Sequence, residues 1–377
     1  MAAFCYNTTE SLPVGLLQVM AADLGTSLSA VGLLVTAYAV VVAVVSVPLT
    51  RMTARVSRRR LLIGLLSVFV VTTWVSVAAP NYWLLLAARL VMALSQAVFW
   101  PVSVVAAAGL FPARVRGRAA TVVFSGGSLA IVLGVPSGTW LGQQAGWRMS
   151  FLALGGLGLL ALAAIALLLP PGAPGEGHTA ASDTPDARRF RLLVATIMLA
   201  VTGYFTFYTY VTPFLSHVSG FSAAAISPLL LVFGVMDFAG ITAAGAVVDR
   251  GARATMIAAI ALLTAALLGV YTFGPHPVAA IGLFGLVGFA FPAMVPGMQL
   301  RVLQVAPGNT DVASAGVSAA FNVGIASGAL AGALLLPAAG VRSTALAGAL
   351  LTATALAVTL SERLRPIRLQ AKAEQDL

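Results

Sequence analysis

Three ionisable side chains stand inside otherwise apolar stretches of this chain: Glu10, Arg89 and Asp237. A charge at the centre of a bilayer-spanning helix costs about 3 kcal/mol or more, so each position is a functional candidate by default. A carboxyl group there can carry a proton or hold a cationic solute. An arginine there needs a carboxylate or backbone carbonyls for company. If the first apolar stretch ends near Ala21, Glu10 lies eleven residues from that end, about 16 Å at the helical rise. Asp237 lies twelve residues before Asp249, about 18 Å along a helix, again near mid-depth. Glu10, Asp237 and Arg89 therefore form the candidate proton-coupling set, with Glu10 as the expected partner of Arg89. Backbone carbonyls are the structural alternative for Arg89. For Asp237 the alternatives are a second proton site, an anchor for a cationic substrate, and a neutral acid tied across a helix interface.

Polar and aromatic residues at similar depths are candidates for lining a substrate cavity: Asn7, Gln96, Trp100, Phe207, Tyr208, Tyr210 and Asn322. Hydroxyls and ring faces suit sugar rings or planar drugs. An interfacial aromatic belt is the competing account of the Tyr204–Tyr210 run, and interhelical hydrogen bonding that of Asn322. Nothing in the chain suggests catalysis. Cys5 stands alone, the histidines (His178, His217, His276) fall in loops, and no metal cluster or nucleophile–base pattern occurs. No cofactor is expected; the energy source would be a proton gradient.

These residues need long apolar helices to position them, and composition provides those. Hydrophobic residues make up 60% and charged residues 8%, against about 25% charged in soluble domains. The periodicity predicts an all-α membrane protein of twelve spans: within 1–21, then near 30–49, 61–79, 82–110, 119–141, 150–169, 192–215, 222–248, 254–273, 277–300, 311–337 and 344–360. The divisions follow: a six-helix bundle over 1–169, a polar linker over 170–190, a second bundle over 191–362 and a tail over 363–377. The net charge of +10 is not a nucleic-acid footprint, because 18 of the 21 basic residues fall in alternate loops. That asymmetry is the positive-inside pattern, which predicts both termini in the cytoplasm. The expected partners are lipid, protons and a small molecule, with the chain acting as a monomer.

The turn Gly245-Ala-Val-Val-Asp249-Arg250-Gly-Ala-Arg253 sits between two apolar runs. A degraded copy, Arg55-Val-Ser-Arg58-Arg59-Arg60, lies 195 residues earlier and has Ala54 where the aspartate belongs. Glycine there permits close helix approach, and the arginines anchor or gate the turn. The Gly-x-x-x-Asp-Arg-x-x-Arg pattern resembles the signature of the major facilitator superfamily, whose plan is two six-helix bundles rocking about a midplane site. The segment Gly134-Val-Pro136-Ser-Gly138, followed by Gly146-Trp147-Arg148, resembles the antiporter motif and outer turn of the drug:proton antiporters. Residues 88–101 resemble the sugar- and arabinose-efflux branch, which usually has histidine where Gln96 stands. The resemblance implies proton-driven export of a sugar, an amphiphilic drug or a metabolite. A symporter on the same fold and a non-transporting membrane sensor are the alternatives. It also implies a longer first helix in relatives, so the first span is expected to be truncated here.

Overall fold

The computed structural model describes residues 1–53, 56–109, 123, 126–169, 186–306 and 310–362. Arg55, the side chain of Asp249, the linker 170–185 and the tail 363–377 lie outside the described residues. Among those described the chain is helical without strands. Ten helices among the described residues are long and apolar enough to cross a membrane. Two expected spans differ from that pattern. The first is divided into α1 (Ala2–Gly15) and α2 (Leu17–Asp23), and the fifth is a π-helical turn (Ala130–Gly134) leading into α6 (Val135–Ala145).

Between them run α3 (Leu28–Thr53), α4 (Arg58–Ala78) and α5 (Tyr82–Gly109), with α7 (Trp147–Leu168) closing the first half. The second half holds α8 (Ala187–Tyr208), α9 (Val211–His217), α10 (Ala223–Val247), α11 (Ala252–Phe273), α12 (Pro277–Val305), α13 (Thr310–Ala339) and α14 (Arg342–Ser361). The expected bounds shift where caps and breaks intervene. The seventh span begins at Ala187, because Asp186 caps it, accepting hydrogen bonds from the amides of Arg188 and Arg189. It is then interrupted at Thr209 and Tyr210, ahead of Pro213. His217 closes α9 and is not a loop residue. Arg301, expected in a loop, lies inside α12 and is ion-paired to Glu362.

The two halves repeat one packing scheme. α3 and α4 both pack on α5, and α4 packs on α7; α10 and α11 both pack on α12, and α11 packs on α14. Two main seams join the halves, α3 with α13 and α6 with α10, and α9 also touches α1 and α2. Six hydrogen-bond contacts cross between them among the described residues: Gln18 with Ser216 and His217, Ser29 with Ala333, Gln143 with Ala223, Thr212 with Val14 and Ser227 with Pro136. All involve the arginine-poor ends of their helices. At the arginine-rich end no cross-half hydrogen bond or ion pair occurs among the described residues.

Tyr210 shows how the arginine-poor end is sealed. It is fully buried, its hydroxyl donates to Ala329 at 3.1 Å, and its ring fills the space beside Gly32 and Gly332. A β-carbon at Gly332 would meet Tyr210 and the Thr206 carbonyl, so only glycine fits there.

Candidate functional site

The site in the first half begins with a proline. Pro13 has no N–H, so the Thr9 carbonyl one turn earlier loses its intrahelical donor. Arg89 reaches from α5 and donates to the Thr9 carbonyl at 3.1 Å and to the Glu10 carbonyl at 3.2 Å. Its guanidinium also sits 5.1 Å from the centre of the Tyr38 ring, and the side chain is fully buried. Arg89 thus takes the backbone alternative for its hydrogen bonds, the Glu10 carbonyl among them, while the Glu10 carboxylate stays within its electrostatic range without an ion pair among the described residues. The guanidinium hydrogen-bonds the helix backbone, because the proline leaves the Thr9 acceptor bare where a charged donor must find partners.

The Glu10 side chain is thereby free for another contact. The Gln96 amide N–H donates to its Oε2, while the Tyr38 hydroxyl donates to Gln96 Oε1 at 2.5 Å. Tyr38 and Gln96 are almost completely buried, whereas Glu10 is half-buried. A carboxylate with one oxygen held by an amide, in a side chain that keeps part of its surface, can take up a proton or meet a solute. Asn7 lies one turn from Glu10 and donates to the Gly127 carbonyl at 2.7 Å. Trp100, one turn from Gln96, packs beside Gly127. Asn7, Glu10, Gln96 and Trp100 thus share one wall.

The antiporter-like stretch serves a packing role of a specific kind. β-Carbons added at Gly134, Gly138 and Gly142 would collide with Thr8 and Phe4, with Leu12, and with Leu16 in turn. Both helices present these residues every fourth position, so α1 and the α6 segment mesh along their length. Pro136 contributes its carbonyl, which accepts from Ser227 at 2.8 Å across the seam to α10. On the facing helix, Gly234 abuts the backbone of Ile131 and Val132 in the π-helical turn.

In the second half Asp237 lies on the stripe Phe233–Asp237–Gly240–Ala244, whose other members are buried. It is half-buried and makes no ion pair or hydrogen bond with any described residue. Its neighbours are aromatic. Tyr204 stacks on Phe291 at 3.7 Å between ring centres and on Tyr208 at 5.0 Å, and Tyr208 stacks on Phe233 at 5.1 Å. Two expected cavity residues do not join this wall. Phe207 points the other way and is buried against Phe214, and Tyr210 is spent on the seal. Successive residues of one helix face different sides, and an apolar ring settles in the core. Asn322 donates to the Ser318 carbonyl of its own helix at 3.0 Å and bridges no helices among the described residues.

At the arginine-rich end the repeat is legible in hydrogen bonds, but shifted by one residue. Arg59 donates to the Ala166 carbonyl near the end of α7 at 2.6 Å, and Arg253 donates to the Thr359 carbonyl near the end of α14 at 2.8 Å. The structural counterpart of Arg253 is thus Arg59, not Arg58. Cations at helix C-termini are stabilised by the exposed carbonyls and the helix dipole. The second half adds Glu362, which pairs with Arg253 at 3.3 Å and with Arg301. Arg250 is exposed. Gly245, expected to permit close helix approach, has open space around it: an added β-carbon would meet nothing within 4 Å.

At the opposite end Asp23 accepts from the Trp147 indole N–H at 2.9 Å and from Arg148, which also donates to the Ala79 carbonyl at 2.9 Å. The Trp147 hydrogen bond first, and then Arg148, hold the Asp23 carboxyl below its ordinary range. A cavity of about 650 Å³ opens near here, lined by Leu24, Thr26, Leu33, Thr36, Tyr82 and Trp83 among others. None of the side chains around Glu10 or Asp237 lines it. Sequence reading missed Tyr38, Pro13 and Thr9; a tyrosine and a proline inside apolar spans were the available signals.

The family model for the Major Facilitator Superfamily matches residues 1–241 and 193–376. The "Probable sugar efflux transporter" of Helicobacter acinonychis (strain Sheeba) is 34% identical over 339 residues, covering 89% of this chain and 86% of that protein. Among solved structures, a bacterial homologue of the human lysosomal transporter Spinster, in an inward-facing and unoccupied conformation, superposes with a TM-score of 0.73 at 17% identity. That likeness covers 96% of this chain and 95% of the other. The human organic anion transporter MFSD10 (TETRAN) gives 0.70 at 16% identity, over 95% of this chain and 98% of the other.

Proposed function

The chain belongs to the major facilitator superfamily, and from that premise we propose that it exports a small molecule, a sugar or an amphiphilic solute, in exchange for protons. The observation that carries the proposal is the Glu10 carboxylate, held by the Gln96 amide, which is itself held by the Tyr38 hydroxyl, in a side chain that is only partly exposed. One carboxyl group can then bind a proton in one state and release it in the other. The relative named for sugar efflux favours export of a polyol, and the hydroxyl and amide groups of Tyr38, Gln96 and Asn7 suit such a cargo.

Alternating access follows from where the halves touch. The arginine-poor end is tied by Gln18–Ser216, Ser29–Ala333 and Tyr210, and the space around Gly245 is open. With the arginine-rich face on the cytoplasmic side, and both termini with it, this is an inward-open state. Closing that end and opening the other carries the solute and the proton in opposite directions. The divided first and seventh spans (α1/α2 and α8/α9) sit at the moving ends. Protein reconstituted in liposomes tests the reading: arabinose or a fluorescent amphiphile is loaded and a pH gradient imposed. Movement against the proton gradient supports it; movement indifferent to the gradient, or with it, refutes it in favour of a uniporter or symporter.

A further inference from the structure

Among the hydrogen bonds that tie the halves at the arginine-poor end, one reaches a titratable ring. Gln18 of α2 crosses to α9, where its amide nitrogen lies 2.6 Å from Ser216 Oγ and 3.5 Å from His217 Nε2. Counting protons fixes the direction of each bond. The Ser216 hydroxyl donates its one proton to the Thr212 carbonyl at 3.0 Å, so its oxygen accepts from Gln18. The second proton of the same amide then faces His217 Nε2, which accepts it only while that nitrogen carries no proton. Among the described residues the His217 side chain makes no other hydrogen bond and no ion pair.

Protonation reverses this contact. Both ring nitrogens become donors, and a charged N–H then points at the amide N–H₂ of Gln18. Histidine is the side chain that changes charge between about pH 5 and 8, and His217 is exposed to the solution that bathes this end. The charged groups around it are engaged elsewhere. Of the elements packed on α9, α1 carries Glu10, α2 carries Asp23 and α10 carries Asp237. Glu10 is held by Gln96 within the first half, and Asp23 is ion-paired to Arg148. Asp237 stands fourteen residues into α10, about 21 Å from the end of that helix nearest His217. Arg342 is tied to the Tyr271 carbonyl and ring. His276, at the start of α12, makes no cross-half contact among the described residues.

We propose that His217 is a proton-operated latch on the outer end of the molecule. Neutral, it holds Gln18 and favours the state in which the halves meet there. Charged, it releases Gln18 and favours the outward-open state. The other cross-half bonds remain, so the latch biases the equilibrium by about three- to tenfold, the share of one hydrogen bond. Acid outside then opens the very end through which an external proton enters. The inference rests on alternating access between the halves and not on proton exchange at Glu10. Its readout is conformation at equilibrium, with no gradient and no cargo, so failure of the exchange reading and failure of the latch are separate results.

The experiment measures the outer-end distance by paired spin labels on Asn81→Cys and Val278→Cys, both exposed at this end, in a Cys5→Ser background. The full chain is held in lipid nanodiscs at pH 8 and at pH 5.5, and Glu10→Gln is included throughout so that its carboxyl cannot respond. The ratio of outer-open to outer-closed molecules is expected to rise about three- to tenfold on acidification. In His217→Gln, whose neutral amide oxygen can still accept from Gln18, the ratio should stay low at both pH values. In His217→Arg it should be high at both. His276→Gln should respond to pH as its parent does. An outer-end ratio that does not change with pH overturns the proposal before any change is made at residue 217. A pH response that survives in His217→Gln, or one that disappears in His276→Gln, overturns it as well.

Discussion

Removing Arg89 should be far less harmful in a protein that also lacks Pro13. Arg89 donates to two main-chain carbonyls, one of which is bare only because residue 13 cannot supply an N–H. Hydrogen bonds from a charged donor contribute about 1.5–3 kcal/mol each, and an unpaired buried carbonyl costs about 1–3 kcal/mol. The stacking on Tyr38 at 5.1 Å adds about 0.5–2 kcal/mol. Relief of burying the guanidinium offsets several kcal/mol of this. We therefore expect Arg89→Leu to destabilise the protein by about 2–4 kcal/mol. Pro13→Ala restores the amide that bonds the Thr9 carbonyl, so in that background the loss from Arg89→Leu should shrink by about 1–2 kcal/mol. The assay is a double-mutant cycle on reversible unfolding in mixed micelles, read by tryptophan fluorescence. Strict additivity, within about 0.5 kcal/mol, would refute the assignment of Arg89 to the Thr9 carbonyl left by Pro13.

Other consequences follow from the same geometry. Cysteines at Gln18 and Ser216, whose side chains hydrogen-bond at 2.6 Å, should cross-link in a Cys5→Ser background and stop transport reversibly; turnover by the linked protein would show that this end need not open. Gly138→Val should lower stability by about 1–3 kcal/mol through its collision with Leu12, measured by thermal unfolding, whereas Gly64→Val, which meets open space, should not. Gly245→Val should fold normally yet slow transport, because its space is open only in this state; unchanged turnover would contradict that. Asp23 contributes stability that is present above the ordinary carboxylate range and is lost as pH falls through its lowered folded value, below about pH 4. Since Arg148 and Asp23 are 34% and 43% exposed, that contribution is at most about 1 kcal/mol, seen as a smaller acid sensitivity in Asp23→Asn.

The fold was legible in the chain because hydrocarbon imposes one rule on every span, and twenty uncharged residues such as 30–49 satisfy it without reference to any neighbour. The cationic turns were legible for the same reason, although the counterpart of Arg253 moved from Arg58 to Arg59, since a hydrogen bond to a carbonyl depends on helix phase. Glu10, Gln96 and Asp237 could be singled out by type and depth. Their partners could not. Arg89 lies 79 residues from the nearer carbonyl it serves, and Tyr38 lies 58 residues from Gln96, so only the folded bundle brings them together. Phe207 and Tyr210 show the limit most clearly. The run Tyr204–Tyr210 reads as one polar aromatic stripe, but helical geometry sends Tyr204 and Tyr208 to one side and Phe207 into the core. The interruption at Thr209 then redirects Tyr210 into the seal against Gly32 and Gly332.

The most direct test of proton exchange at Glu10 separates movement from accumulation. In liposomes, Glu10→Gln should retain solute counterflow, because the cavity and the rocking motion survive, and should lose accumulation driven by a pH gradient. Accumulation in Glu10→Gln equal to that of the wild type would contradict the account at its centre.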